Sequence, residues 1–95
     1  MKPEELKQKI AKGEPMELLD IRESSEFEKG EKVLGSKNIP MGQLFVDASE
    51  NKLLKDKKII TICRSGGRCQ VVVRELSKKG YDIDYLEGGI NEWSR

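Results

Sequence analysis

Histidine is absent from the 95 residues. That removes imidazole general bases, Ser-His and Cys-His catalytic pairs, and imidazole metal ligands. Only two cysteines are present, and two thiols alone make a poor zinc site. No cofactor or metal is therefore expected. No apolar run reaches the length of about eighteen residues that a membrane span needs, so no membrane partner is expected. The opening stretch, MKPEELKQKI, is charged throughout and lacks the apolar stretch of a signal peptide. These features point to a cytoplasmic protein. In a reducing compartment, cysteines are free, catalytic or redox-active more often than structural staples. Charge of one sign is missing too. Charged residues make up 37% of the chain, yet the net charge is +1, which gives no electrostatic reason to expect nucleic acid as a partner.

What is present fits one domain over residues 1–95, a length that buries roughly 60–70% of its unfolded surface around one modest core. PEELKQKIAKG (3–13) reads as a helix, with proline in its first turn, early glutamates and a closing glycine. MELLDI (16–21) reads as a short buried strand. ESSEFEKG (23–30) reads as a short helix capped by Ser24 or Ser25 and stopped by Gly30. SKNIP (36–40) is a weak strand, MGQLFVDAS (41–49) a short helix, and KKIITI (57–62) the clearest central strand. From Arg68 the period changes. Cys69, Val72, Val73 and Leu76 share one helical face, and Gly80 ends that helix. DIDYL (82–86) is a further strand, and GGINEWS (88–94) a closing helix anchored by Trp93. Strands alternating with helices imply an α/β domain, its mainly parallel central sheet flanked by helices. Sites in such sheets form beyond the carboxyl ends of the strands, where Cys63 lies.

The stretch ITICRSGGRCQ (60–70) concentrates the chemistry. A strand, a loop with two glycines and then a helix let several backbone N–H groups converge, which makes an anion-binding concavity. Gly66 and Gly67 permit backbone angles that other residues resist. Ser65 completes the loop, and Arg64 and Arg68 add two positive charges. A free thiol has a pKa near about 8.5, and such surroundings lower it by roughly one to several units. Electrostatics would then replace the missing histidine. The competing reading of Cys63 is a small buried hydrophobe after an Ile-rich strand. The paired glycines and two arginines favour the reactive reading.

LLDIRESSEFEKG, NIP, CRSGGR and LEGGINEW occur in the order and at about the spacing of the rhodanese-like sulfurtransferases, from Leu18 to Trp93. The resemblance implies a compact α/β fold. It also implies a sulfane sulfur carried as a persulfide on Cys63, within a cradle running from Arg64 through Ser65, Gly66 and Gly67 to Arg68. Small-molecule sulfur donors, such as thiosulfate or polysulfide, and thiol acceptors would be the partners. A protein persulfide partner is the alternative, as is a non-catalytic interaction module. Arg64 at the loop mouth is the expected handle for an anionic donor. The loop from Cys63 to Arg68 holds six residues. In phosphatases that share this fold it resembles C-x-x-x-x-x-R, one residue longer, so the resemblance favours sulfur over phosphate or arsenate.

Asp20 and Arg22 match the family's D-x-R. The resemblance places Asp20 near the loop, holding Arg68 by a charge-assisted hydrogen bond. Arg22 is expected to pair with Glu26 or a neighbouring carboxylate as framework. Gly88 and Gly89 let the last helix start tightly beneath the site. Cys69 departs from the serine or alanine common in the family. It reads either as a core residue or as a resolving thiol for Cys63. GEKVLGSKNIP also departs, lacking the family's histidine and first proline, which leaves the approach to the pocket open.

Overall fold

The computed structural model describes residues 1–93. The elements run α1 (Pro3–Ala11), β1 (Met16–Asp20), α2 (Ser24–Lys29), β2 (Lys37–Asn38), α3 (Met41–Ser49), β3 (Lys58–Ile62), α4 (Gly67–Ser77), β4 (Ile83–Tyr85) and α5 (Gly89–Trp93). Ser94, the last residue of the expected closing helix, lies outside the described residues. Among them, no helix is long and apolar enough to cross a membrane.

The four strands form one parallel sheet in the order β2-β1-β3-β4. β1 and β3 pair along their whole length, from Met16 opposite Lys58 to Asp20 opposite Ile62. The chain order reverses between these two strands. Crossovers leave in opposite directions there, and a crevice opens beyond the strand ends. Asp20, Arg22 and Cys63 all lie at that end.

Alternation along β3 sorts its side chains between two cores. Ile59 and Cys63 point to the face covered by α3 and α4, where Leu44, Ala48, Cys69, Val72 and Leu76 pack. Ile60 and Ile62 point to the opposite face, with Leu6 of α1 and Ile90 of α5. Ile60, Ile62, Leu6, Leu44, Val72 and Leu76 are fully buried. Each such side chain contributes about 1.5–3 kcal/mol relative to exposure. Both faces are covered, so β3 reads as a continuous apolar run rather than an alternating one.

The second helix corrects one expectation. Its cap is Glu23, not Ser24 or Ser25. Glu23 accepts from the backbone N–H of Glu26, and the Glu26 carboxylate accepts from the N–H of Glu23 at 3.2 Å. This reciprocal pair satisfies two of the helix's open donors. It also fixes the direction of the Glu26 carboxylate, which matters at the site.

Candidate active site

Cys63 follows the last residue of β3, and its side chain is 1% exposed. The Gly66 N–H donates to its Sγ at 3.0 Å. The backbone amides of Ser65 and Cys69 also help to lower the pKa of this thiol. Residue 66 caps α4 with φ +103°, in the left-handed region. A Cβ there would also press on the Tyr85 ring at 3.4 Å, so only glycine meets the demand at low cost. Gly67 is different. It opens α4 without a positive φ, and a Cβ on it would meet nothing within 4 Å. The expected need for two glycines reduces to one.

The last helix orients the loop from below. Ile90 N–H donates to the Cys63 carbonyl at 2.8 Å, and Asn91 N–H to the Arg64 carbonyl at 3.0 Å. In a trans peptide the N–H points opposite the C=O. Holding the Arg64 carbonyl on α5 therefore turns the Ser65 N–H the other way, toward the sulfur. This approach needs Gly89, where any Cβ would overlap the Cys63 carbonyl oxygen.

Donors converging on Sγ bring the Cys63 pKa down from 9.0 to about 5. The largest contribution is the Cys69 side chain, followed by the amides of Cys69, Gly66 and Ser65, against the opposing pull of burial. Cys69 itself is fully buried beside Cys63, and both thiols are free. Its pKa is raised by that same contact with Cys63 and by burial. The pair thus shares one proton, which stays on Cys69. Cys69 belongs to the core, as one of its two readings had it, and its side chain is also the largest influence lowering the pKa of the neighbouring thiol.

Asp20 and Arg22 form a buried pair. Arg22 donates through Nε to Oδ1 at 2.9 Å and through Nη2 to Oδ2 at 2.8 Å. Its Nη2 also reaches the Glu31 carbonyl at 2.9 Å. Asp20 therefore does not hold Arg68. The local partner two residues away takes both carboxylate oxygens in a bidentate grip, leaving no face for a distant guanidinium. Of the two expected kinds of partner for Arg22, Glu26 or a neighbouring carboxylate, the structure shows the neighbour, Asp20.

Glu26 is the residue that sequence reasoning missed as a partner of the loop. Its Oε2 accepts from Arg64 at 3.0 Å and from Arg68 Nη2 at 3.4 Å, while Oε1 accepts from Arg68 Nη1 at 3.3 Å. Arg68 first, then Arg64, draw its pKa down to about 2. One carboxylate thus ties both loop arginines to α2. Arg64, 64% exposed, stands at the loop mouth but not unpaired. A cleft of about 460 Å³ opens beside it, with walls that include Glu26, Lys29, Glu31, Arg64 and Asn91. Cys63 is not one of its walls.

Residues 2–95 match the family model described as the rhodanese-like domain. The chain belongs to the rhodanese-like family. Similar rhodanese-like chains include a sulfurtransferase of Allochromatium vinosum, 33% identical over 93 residues, covering 97% of this chain and 84% of that protein. Another is YrkF of Bacillus subtilis, provisionally named a sulfur carrier protein, 33% identical over 92 residues. The chain spans about half the length of YrkF, 48%, with 96% of its own residues aligned. A crystal structure of a rhodanese-related protein from Thermoplasma volcanium superposes with a TM-score of 0.85 at 33% identity, covering 99% of this chain and 88% of that one.

Proposed function

We propose that this rhodanese-like chain is a sulfurtransferase in which Cys63 carries a sulfane sulfur between a donor and a nucleophilic acceptor. The observation that carries the reading is the acidic thiol, held by inward-facing amides at the carboxyl end of β3. The Cys63 thiolate attacks the outer sulfur of a donor such as thiosulfate or polysulfide. With thiosulfate, the S–S bond breaks, sulfite leaves with the electron pair, and Cys63 holds a persulfide anion. An acceptor thiolate then takes the outer sulfur and restores the Cys63 thiolate. The same amides would hold the negative charge of the persulfide's outer sulfur, as oxyanion-hole donors hold an oxyanion. Two half-reactions through one covalent intermediate give ping-pong kinetics.

Arg64, Ser65, Gly66, Gly67 and Arg68 form the substrate-binding loop in this reading, with Asp20 and Arg22 as support. The six-residue loop favours one sulfur atom over a phosphate group. The near-zero net charge and two free thiols support a cytoplasmic protein acting on small donors and acceptors. The sulfur-carrier name borne by YrkF supports a second reading, in which a partner protein supplies or takes the sulfur.

Mass spectrometry after incubation with thiosulfate or polysulfide tests the proposal. A gain of about 32 Da on Cys63 is expected, with none in Cys63→Ser. Absence of the adduct with every donor, including protein persulfides, removes the reading.

A further inference from the structure

Both arginines of the sulfur-accepting loop are bound to one carboxylate from a different element. Glu26 reaches Arg64 and Arg68 across 38 and 42 residues of chain, with contacts of 3.0–3.4 Å. Its carboxyl stays ionised far below neutral pH. Two guanidinium charges and one carboxylate leave +1, and the Cys63 thiolate cancels it. Along the adjoining cleft, Lys29 and Arg64 are matched by Glu26 and Glu31, while Arg22 is already held by Asp20. The side chains around the approach to the sulfur therefore sum to no net positive charge. A dianionic donor nearing a thiolate meets like charge, and its usual compensation, a free guanidinium, is already occupied.

We infer that Glu26 is a specificity-determining residue that turns the site away from dianionic donors such as thiosulfate and toward donors with at most one negative charge at the transferred sulfur. This rests on the sulfur-transfer reading above. Selectivity of this kind is a difference between two affinities, set by a repulsive element as much as by an attractive one. Glu26 supplies the repulsive element, since removing its charge would leave both arginines free to bind the second charge of a dianion.

Thiosulfate and the methanethiosulfonate anion test it. They share the sulfonyl–sulfur group, but a methyl replaces one oxyanion in the second, so charge is the main difference. Each delivers its outer sulfur to the Cys63 thiolate and leaves as sulfite or methanesulfinate, with charge conserved. Cys63 loading is measured with both donors in the wild type and in Glu26→Gln. Glutamine keeps the reciprocal cap of α2, because it can accept from the Glu23 N–H as glutamate does.

At low ionic strength, Glu26→Gln should raise the second-order loading rate ~10-fold for thiosulfate and ~3-fold for methanethiosulfonate, since one added net positive charge acts twice on a dianion. The gain should fade toward 0.5 M salt. Wild-type loading by thiosulfate should depend little on salt. Equal changes for the two donors, a loss for both, or steeply salt-dependent thiosulfate loading in the wild type would each overturn the inference while leaving sulfur transfer intact. If neither of these donors, nor a glutathione persulfide, nor a protein persulfide loads Cys63 in either protein, sulfur transfer itself fails, and the selectivity with it.

Discussion

Gly89 lies directly against the backbone of Cys63. A Cβ on it would overlap the Cys63 carbonyl oxygen and come within 2.6 Å of the Arg64 carbonyl carbon, and its φ of +58° already disfavours a side chain. Gly89→Ala is expected to cost about 2 kcal/mol or more of stability. It should also raise the Cys63 pKa, because the loop must lift off α5 and its amides turn with it. Gly67→Ala should leave stability unchanged or raise it by up to about 1 kcal/mol, since its site has room and ordinary angles. Urea denaturation and thiol titration of the two variants check the contrast.

The acidity of Cys63 is directly measurable. Its rate of alkylation by iodoacetamide should rise with pH through a midpoint near 5 and be flat from about 7 upward. The folded pKa lies below the ordinary 9.0, so the folded state releases this proton first. The thiolate's contribution to stability is then complete above pH 9, declines from 9 toward 5, and is lost below that. Cys69 acts in the opposite sense. Its folded pKa is raised, so it withdraws stability as pH climbs above 9. A Cys63→Ser variant should lose the first dependence.

Replacing Cys69 separates its two roles. Cys69→Ala removes the donor to the neighbouring sulfur and should raise the alkylation midpoint by roughly one to two pH units, the worth of a hydrogen bond to a charged group. Cys69→Ser keeps an O–H donor and should stay close to the wild type. Burial of Cys69 disfavours its thiolate whatever the state of Cys63, which makes it a poor attacking group. Peroxide treatment followed by peptide mapping should show no bridge between residues 63 and 69.

The Asp20–Arg22 pair should prove structural. Asp20→Asn leaves a buried guanidinium short of its counter-charge and should cost about 3–5 kcal/mol in chemical denaturation. The alkylation midpoint of Cys63 should move little, because Asp20 does not reach the loop arginines. A large midpoint shift at unchanged stability would reverse that assignment.

Much of this was legible in the chain, and the pattern of what was not is instructive. Cys63 could be placed because β3 is a clear apolar run and α4 a clear change of period, so the junction between them was marked from both sides. The span 41–49 appears as α3 with the same bounds. Several differences concern which charge meets which. The approach of Glu26 to Arg64 and Arg68 spans 38 and 42 residues, and no local periodicity encodes such a meeting. The family resemblance points Asp20 to Arg68, yet Arg22 lies two residues away with the geometry to fill both oxygens. The serines at 24 and 25 mask Glu23 as the cap of α2, whose signal is the glutamate three residues later. Gly67 and Gly89 look alike as letters. Only the packing of α5 under the loop makes one dispensable and the other not.

The converging donors hold the Cys63 pKa at about 5, yet the residue is only 1% exposed. For most activated thiols, readiness to react and ease of being reached rise together. Here they are uncoupled, and the enclosure works as a sieve around a permanently armed atom. The girth of an incoming molecule, more than the strength of its electrophilic centre, decides whether it meets the sulfur. An acidic thiol can thus sit at the end of β3 without being laid open to every oxidant and alkylator in its surroundings.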